Sequence, residues 1–190
     1  MGLRRPVRGR VHPHPGRHKP ATHTPGCLLG APRLTRRPAL RPVDAFPASL
    51  DGQAVLPLVR ELGIGFVAYS PLGRGFLTGQ IRSTDQLDAS DFRSSNPRFA
   101  KENLGQNLRI VTEVETVAAE VGATPAQVAL AWLLAQGDDI VAIPGTKRVP
   151  RLEENAAATD VVLSRDQLAR LSAIRPPAGD RYADMSPING

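Results

Sequence analysis

The chain has a single cysteine, Cys27, so neither a disulfide framework nor a thiol-based metal site can be built from it; no metal site is expected, and a reducing cytoplasm is the expected compartment. No apolar run approaches the ~20 residues that span a bilayer. The stretch Gly26-Cys27-Leu28-Leu29-Gly30-Ala31 is too short and too late for a secretory core, so neither an export signal nor a membrane partner is expected. Aromatic residues make up only 4% of the chain, and all four histidines lie before residue 24. A histidine-centred site in the later part of the chain is thereby excluded.

What is abundant is unevenly placed. Residues 1–50 hold nine of the 18 prolines and ten of the 24 Lys and Arg residues against one acid, Asp44, whereas the remainder carries slightly more acids than bases. The pI of 10.4 thus belongs to the N-terminal segment and not to the patterned part of the chain. With prolines every few residues and no apolar period, residues 1–48 are expected to be disordered or non-native. The alternative is a binding arm for nucleic acid or an acidic partner. Phe46 is its only ring, which leaves such an arm without stacking residues and makes nucleic acid the less favoured partner. The expected organisation is this basic segment over 1–48, a patterned α/β part over 49–175 and an irregular Pro- and Gly-containing tail over 176–190.

Within the patterned part, Val55, Leu58, Val59 and Leu62 share one helical face that Gly63 terminates, with Pro57 in an early turn or at a kink. Ile64–Ala68 is too short for a helix and is bounded by Gly65 and Pro71, so it reads as a buried strand. Residues 73–103 read as a long loop, functional or mobile. Leu104, Leu108, Val111, Val114, Val117, Ala118 and Val121 mark an amphipathic helix ending at Gly122. Thr124-Pro125-Ala126-Gln127 is a capping box with proline at the first helical position, opening a helix that buries Val128, Ala131, Trp132 and Ala135. Trp132 is assigned to the core. A strand over Ile140–Ile143, a helix from about Pro150 to Ala158 and a last helix capped by Ser164 and Gln167, with Leu168 and Leu171 inward, complete a βα order with parallel strands.

Ligands of parallel α/β proteins sit beyond the C-terminal ends of the strands. Tyr69 and Ser70 end the first strand, and Gly145 to Arg148 follow the second, so the class directs both toward one site. Lys147, Arg148 and Arg151 bring three cations to a helix start, and Thr146 adds a hydroxyl. A phosphate monoester is one guest these residues suit; solvated surface cations are the other reading of the same spacing.

Four segments resemble the C-terminal part of aldo-keto reductases in order and spacing: Arg60-Glu61-Leu62-Gly63-Ile64, Tyr69-Ser70-Pro71-Leu72-Gly73-Arg74-Gly75 running on to Gly79, Thr124 to Trp132, and Ile143 to Asn155. The resemblance covers about residues 51–175. It implies an α/β fold that is a partial TIM-type (β/α)8 barrel, last strands and helices only, and an NADP-dependent oxidoreductase acting on aldehydes or ketones. Carried over by position, Tyr69 is similar to the tyrosine that stacks on the nicotinamide. Ser70, Leu72 and Arg74 match the loop that wraps the pyrophosphate, with Gly73 and Gly75 permitting close backbone approach. Gly145, Thr146, Lys147 and Arg151 match the segment that binds the 2′-phosphate, and Glu154 and Asn155 match the residues that contact adenine.

The same resemblance calls for a catalytic tyrosine, lysine, aspartate and histidine in the first half of the barrel. No tyrosine precedes Tyr69, the only earlier lysine is Lys19, and His12, His14, His18 and His23 lack a strand-end setting. No catalytic residue is therefore assigned. The expectation is a C-terminal fragment carrying the cofactor-binding part and inactive alone. The abrupt change of composition near residue 48 is what a shifted reading frame in GC-rich DNA would give.

Overall fold

The computed structural model describes residues 50–184. The segment 1–48, with its expected disorder and its alternative role as a binding arm, lies outside the described residues, as does the chain beyond residue 184.

Helix α1 (Leu50–Glu61) carries Pro57 within it and ends where Gly63 takes φ +64, a backbone conformation that a Cβ disfavours. Val59 is fully buried and Val55 and Leu56 pack beside it. Leu58 and Leu62, expected on the same buried face, are instead 50% and 46% exposed, because the core meets only the arc carrying Val55, Leu56 and Val59. The Ile64 N–H donates to the Val59 carbonyl at 2.8 Å. That bond spends Ile64 on closing the helix, so strand β1 covers Phe66–Ala68 rather than beginning at Ile64.

Strand β2 (Ile140–Ala142) pairs with β1 in parallel, Phe66 opposite Ile140, Val67 opposite Val141 and Ala68 opposite Ala142. The register is anchored at its start. Phe66 N–H donates to Asp139 O at 2.7 Å, and the Asp139 carboxylate is held by Arg60 Nε at 3.0 Å from the end of α1. One face of the pair, through Phe66, Ala68 and Ile140, is buried. The other carries Val67 and Val141 side by side and exposed, with Ile143, expected inside β2, exposed just beyond it.

Helix α2 (Lys101–Val121) starts three residues before its apolar stripe and ends at Gly122. It buries Leu104, Val111, Val114, Val117 and Ala118, and also Ile110 and the polar Asn107. Helix α3 (Pro125–Leu134) opens with the Thr124–Gln127 capping box, both of its hydrogen bonds formed. Trp132 is core, its Nε1–H donating to Ser172 Oγ at 3.0 Å. Ala135, expected inside that helix and buried, is its exposed C-terminal cap. Helix α4 spans Val149–Ala156, with a 3-10 turn over Ala157–Asp160 absorbing the rest of the expected helix. Helix α5 (Arg165–Ser172) has the Ser164–Gln167 capping box, Leu171 buried and Leu168 packed against the core. Among the described residues no single helix is long and apolar enough to cross a membrane.

The stretch 73–103 is more ordered than a long loop. It contains 3-10 turns at Gly73–Thr78, Thr84–Gln86 and Pro97–Phe99, the second with its own Ser83–Gln86 capping box. Ile81 and Phe99 join Leu104 in a small second core, where the Phe76 and Phe99 rings meet edge to face at 5.8 Å.

The segment after Ile174 forms no helix or strand up to residue 184, yet it is fastened. The side chain of Asn107, 1% exposed, accepts from Ala178 N–H at 2.7 Å and donates to the carbonyls of Ala178 and Arg98, each at 3.0 Å. Gly179, at φ +86, lies so close to the Pro97 turn that a Cβ would meet Pro97 O at 2.7 Å. Only glycine fits there without displacing backbone.

Candidate functional site

The chain leaves β1 through Tyr69 and turns sharply. Ser70 and Arg74 take φ +50 and +61, the only non-glycine residues with positive φ among those described. Such a conformation costs about 1–2 kcal/mol per residue for a side chain bearing a Cβ, and strain of this kind gathers at functional sites. Gly73 N–H donates to Ser70 O at 2.8 Å and Gly75 N–H to Leu72 O at 3.0 Å, folding the segment into two successive tight turns.

Beyond β2, Pro144 and Gly145 lead to Thr146, whose Oγ1 accepts from Arg148 N–H at 3.1 Å. Helix α4 follows with Pro150 in its first turn and no side-chain cap from Arg148. One turn in, Arg151 Nη1 donates to Glu154 Oε2 at 2.5 Å, and Glu154 O accepts from Gln127 Nε2 at 3.1 Å. Burial pushes the Glu154 carboxyl upward, but hydrogen bonds from Arg151 and Thr124 and the charge of Arg151 outweigh it and hold the group below its ordinary value. Glu154 is therefore an ionised acceptor at neutral pH.

The two strand ends face one cleft of about 650 Å³. Of the ten residues singled out from sequence, nine line it: Tyr69, Ser70, Leu72, Arg74, Gly145, Thr146, Arg151, Glu154 and Asn155. Lys147 does not; it is exposed on the segment between Thr146 and Arg148, outside the lining.

Several lining residues were not visible in the sequence. Phe92 and Arg93 come from the stretch read as an unpatterned loop, Ala126 from the first turn of α3, and Tyr182 from the C-terminal tail. Arg93 is paired with Asp91 at 2.6 Å and donates to Arg74 O at 3.1 Å, bracing the second turn. The hydrogen bonds of that pair bring the Asp91 carboxyl from 3.8 down to about 2. The Arg74 guanidinium carbon lies 4.6 Å from the Tyr182 ring centroid and 5.6 Å from that of Phe92. Scarcity was the one available signal for Tyr182, which is one of two tyrosines in the chain.

The donor set fits a dinucleotide. A tyrosine ring lies at one strand end, an arginine stands in a doubly turned loop, and a hydroxyl and a second arginine precede and open α4. Glu154 and Asn155 add an acceptor carboxylate and an amide one turn further on. Phosphate groups suit the cations and the hydroxyls, and heterocycles suit the ring and the carboxylate–amide pair.

Two parallel strands with one buried face, helices between and after them, and a cleft beyond the strand C-termini correspond to part of a (β/α)-barrel. The aldo/keto reductase family model matches residues 42–176, and the chain belongs to that family. Aldo-keto reductase str7 of Strobilurus tenacellus is 40% identical over 167 residues, 82% of this chain and 50% of its own length. Aldo-keto reductase yakc [NADP(+)] of Schizosaccharomyces pombe is 49% identical over 140 residues, 69% of this chain and 41% of its own length. The chain thus spans about half the length of the curated relatives it matches. Among solved structures, the glycerol dehydrogenase AKR11B4 from Gluconobacter oxydans superposes with a TM-score of 0.61 and 25% identity, covering 68% of this chain and 39% of the dehydrogenase. The fold is α/β and corresponds to part of the barrel of these neighbours.

Proposed function

We propose that this chain is the cofactor-holding part of an aldo-keto reductase-type oxidoreductase that uses NADP and reduces aldehydes or ketones. The observation that carries the reading is the convergence of the β1 and β2 strand ends on one cleft, with nine of the ten residues matched to the family's cofactor segments on its walls. The NADP preference draws on the basic start of α4 and on the NADP(+) in the name of the Schizosaccharomyces pombe relative. A reducing cytoplasm suits a chain with one cysteine.

NADPH, when bound, supplies the hydride that reduces a carbonyl carbon. The chain's own residues orient it. Tyr69 offers a ring face for the nicotinamide, which fixes one side of that heterocycle and leaves the other open to a small carbonyl substrate. Ser70, Leu72 and Arg74 wrap the pyrophosphate, where the positive-φ turns at Ser70 and Arg74 set the hydroxyl and the guanidinium in place before binding. Gly145, Thr146 and Arg151 meet the 2′-phosphate, with Lys147 adding its charge from the neighbouring exposed position, and Glu154 and Asn155 meet the adenine edge. No described residue is given the proton-donating role, so the chain by itself is expected to bind cofactor without turnover.

Titration of the full 190-residue chain with NADPH and with NADH, followed by nicotinamide fluorescence, tests this. Saturable binding with NADPH tighter is the expected result. A chain that shows a cooperative thermal transition and binds neither nucleotide overturns the reading.

A further inference from the structure

We propose that the C-terminal segment 176–184 is a built-in part of this site: by clamping Arg74 between Tyr182 and Phe92 it sets that arginine in place before the cofactor arrives, which makes Tyr182 a positioning residue for cofactor binding. The inference rests on the NADP reading above and concerns residues to which that reading gives no role.

Five side chains alternate ring and cation beside the cleft, all but Arg181 among its lining. Phe92, Arg74, Tyr182, Arg181 and Tyr69 follow one another at guanidinium-to-centroid distances of 5.6, 4.6, 5.5 and 5.2 Å. The backbone of the tail contributes alongside its one aromatic ring, Tyr182. Arg181 O accepts from Arg74 Nη1 at 3.0 Å and from Nδ2 of the buried Asn96 at 2.7 Å, so the tail fixes the azimuth of the guanidinium as well as its plane. The tail itself is located by Asn107, which exchanges two hydrogen bonds with Ala178, and by the close fit of Gly179 on Pro97.

An unrestrained arginine surrenders rotamer freedom when it grips an anion, whereas one already stacked and hydrogen-bonded has lost that freedom on folding. Arg74 is held from both sides: its backbone in a positive-φ turn with its carbonyl bonded to Arg93, its side chain by the tail. The tail thereby raises cofactor affinity through an arginine that belongs to the loop after β1. Because it acts through Arg74, its contribution vanishes when Arg74 is absent.

The test is a double-mutant cycle in the full chain, with the NADPH dissociation constant as readout and the cofactor-free thermal midpoint as control. Tyr182→Ala is expected to weaken NADPH about tenfold while keeping a cooperative transition at a somewhat lower midpoint, and Tyr182→Phe, which keeps the ring, to restore wild-type affinity. In the Arg74→Ala background, Tyr182→Ala is expected to cost nothing further. Equal fold losses in both backgrounds, or unaltered affinity in Tyr182→Ala, overturn the proposal while leaving the NADP reading intact. A folded wild-type chain that binds no nicotinamide nucleotide overturns both. Should Tyr182→Ala lose its cooperative transition, Tyr182→Leu takes its place under the same criteria.

Discussion

Asn107 and Ala178 exchange two hydrogen bonds, the side-chain amide of one against the peptide N–H and C=O of the other, at 2.7 and 3.0 Å. A polar residue in the apolar stripe of α2 is thereby the fastening point of the tail. Replacing it with alanine leaves half-buried backbone groups at Ala178 and Arg98 without their partner. The expected loss is about 1–3 kcal/mol of unfolding free energy in denaturant titration, accompanied by weaker NADPH binding as the tail loosens. An Asn107→Ala chain with unaltered stability would show the bonds to be replaceable by water.

Arg151 and Lys147 separate in their expected effects. Arg151 lines the cleft and is partly neutralised by Glu154, whereas Lys147 stands outside the lining. Arg151→Ala is expected to weaken NADPH by about 1–3 kcal/mol and NADH by much less, since only NADPH presents the additional phosphate. Lys147→Ala should act in the same direction by a smaller amount. Parallel titrations with the two nucleotides check both; equal losses for NADPH and NADH would remove the 2′-phosphate role.

Ser70 offers a way to weigh backbone strain against chemistry. At φ +50 a glycine relieves strain that an alanine keeps, although glycine also loosens the unfolded chain. Ser70→Gly is expected to be more stable than Ser70→Ala by about 0.5–1 kcal/mol, while both lose the hydroxyl and bind NADPH equally less well. Thermal melts and titrations of the pair provide the check.

Asp91 contributes one part of the pH response. Its carboxyl titrates at about 2 when folded against an ordinary 3.8, held down by the hydrogen bonds from Arg93. A group depressed on folding contributes fully above its unfolded value and loses that contribution as pH falls through the folded one. Stability is therefore expected to drop between roughly pH 4 and pH 2, and less so in Asp91→Asn. Urea midpoints across that range would reveal the difference; identical profiles would exclude Asp91 as a source.

The local rules were the legible part of this chain. The Thr124–Gln127 and Ser164–Gln167 capping boxes, the stripe of α2, the core position of Trp132 and the two short strands each depend on neighbours within a turn or two. What escaped depends on partners far along the chain. Leu58 and Leu62 satisfy the helical period yet stay exposed, because period fixes which residues share a face and not what lies against it. The order within 73–103 comes from 3-10 turns too short to carry a period, stitched by Ser83, Gln86 and Asn96. Tyr182 reached the cleft through contacts with Arg74 that no spacing rule encodes, and its supports, Asn107 and Gly179, are each single residues of ordinary type. Family likeness pointed to the strand-end residues that line the cleft but not to Tyr182.

The sheet joins its two strands through only three residues each, Phe66–Ala68 against Ile140–Ala142. Few interstrand bonds thus set the distance between the loops that follow. A dinucleotide reaching from one loop to the other would serve as a brace for the parallel pair, so occupancy and folding draw on the same free energy, and cofactor concentration becomes a determinant of how much of the chain is folded.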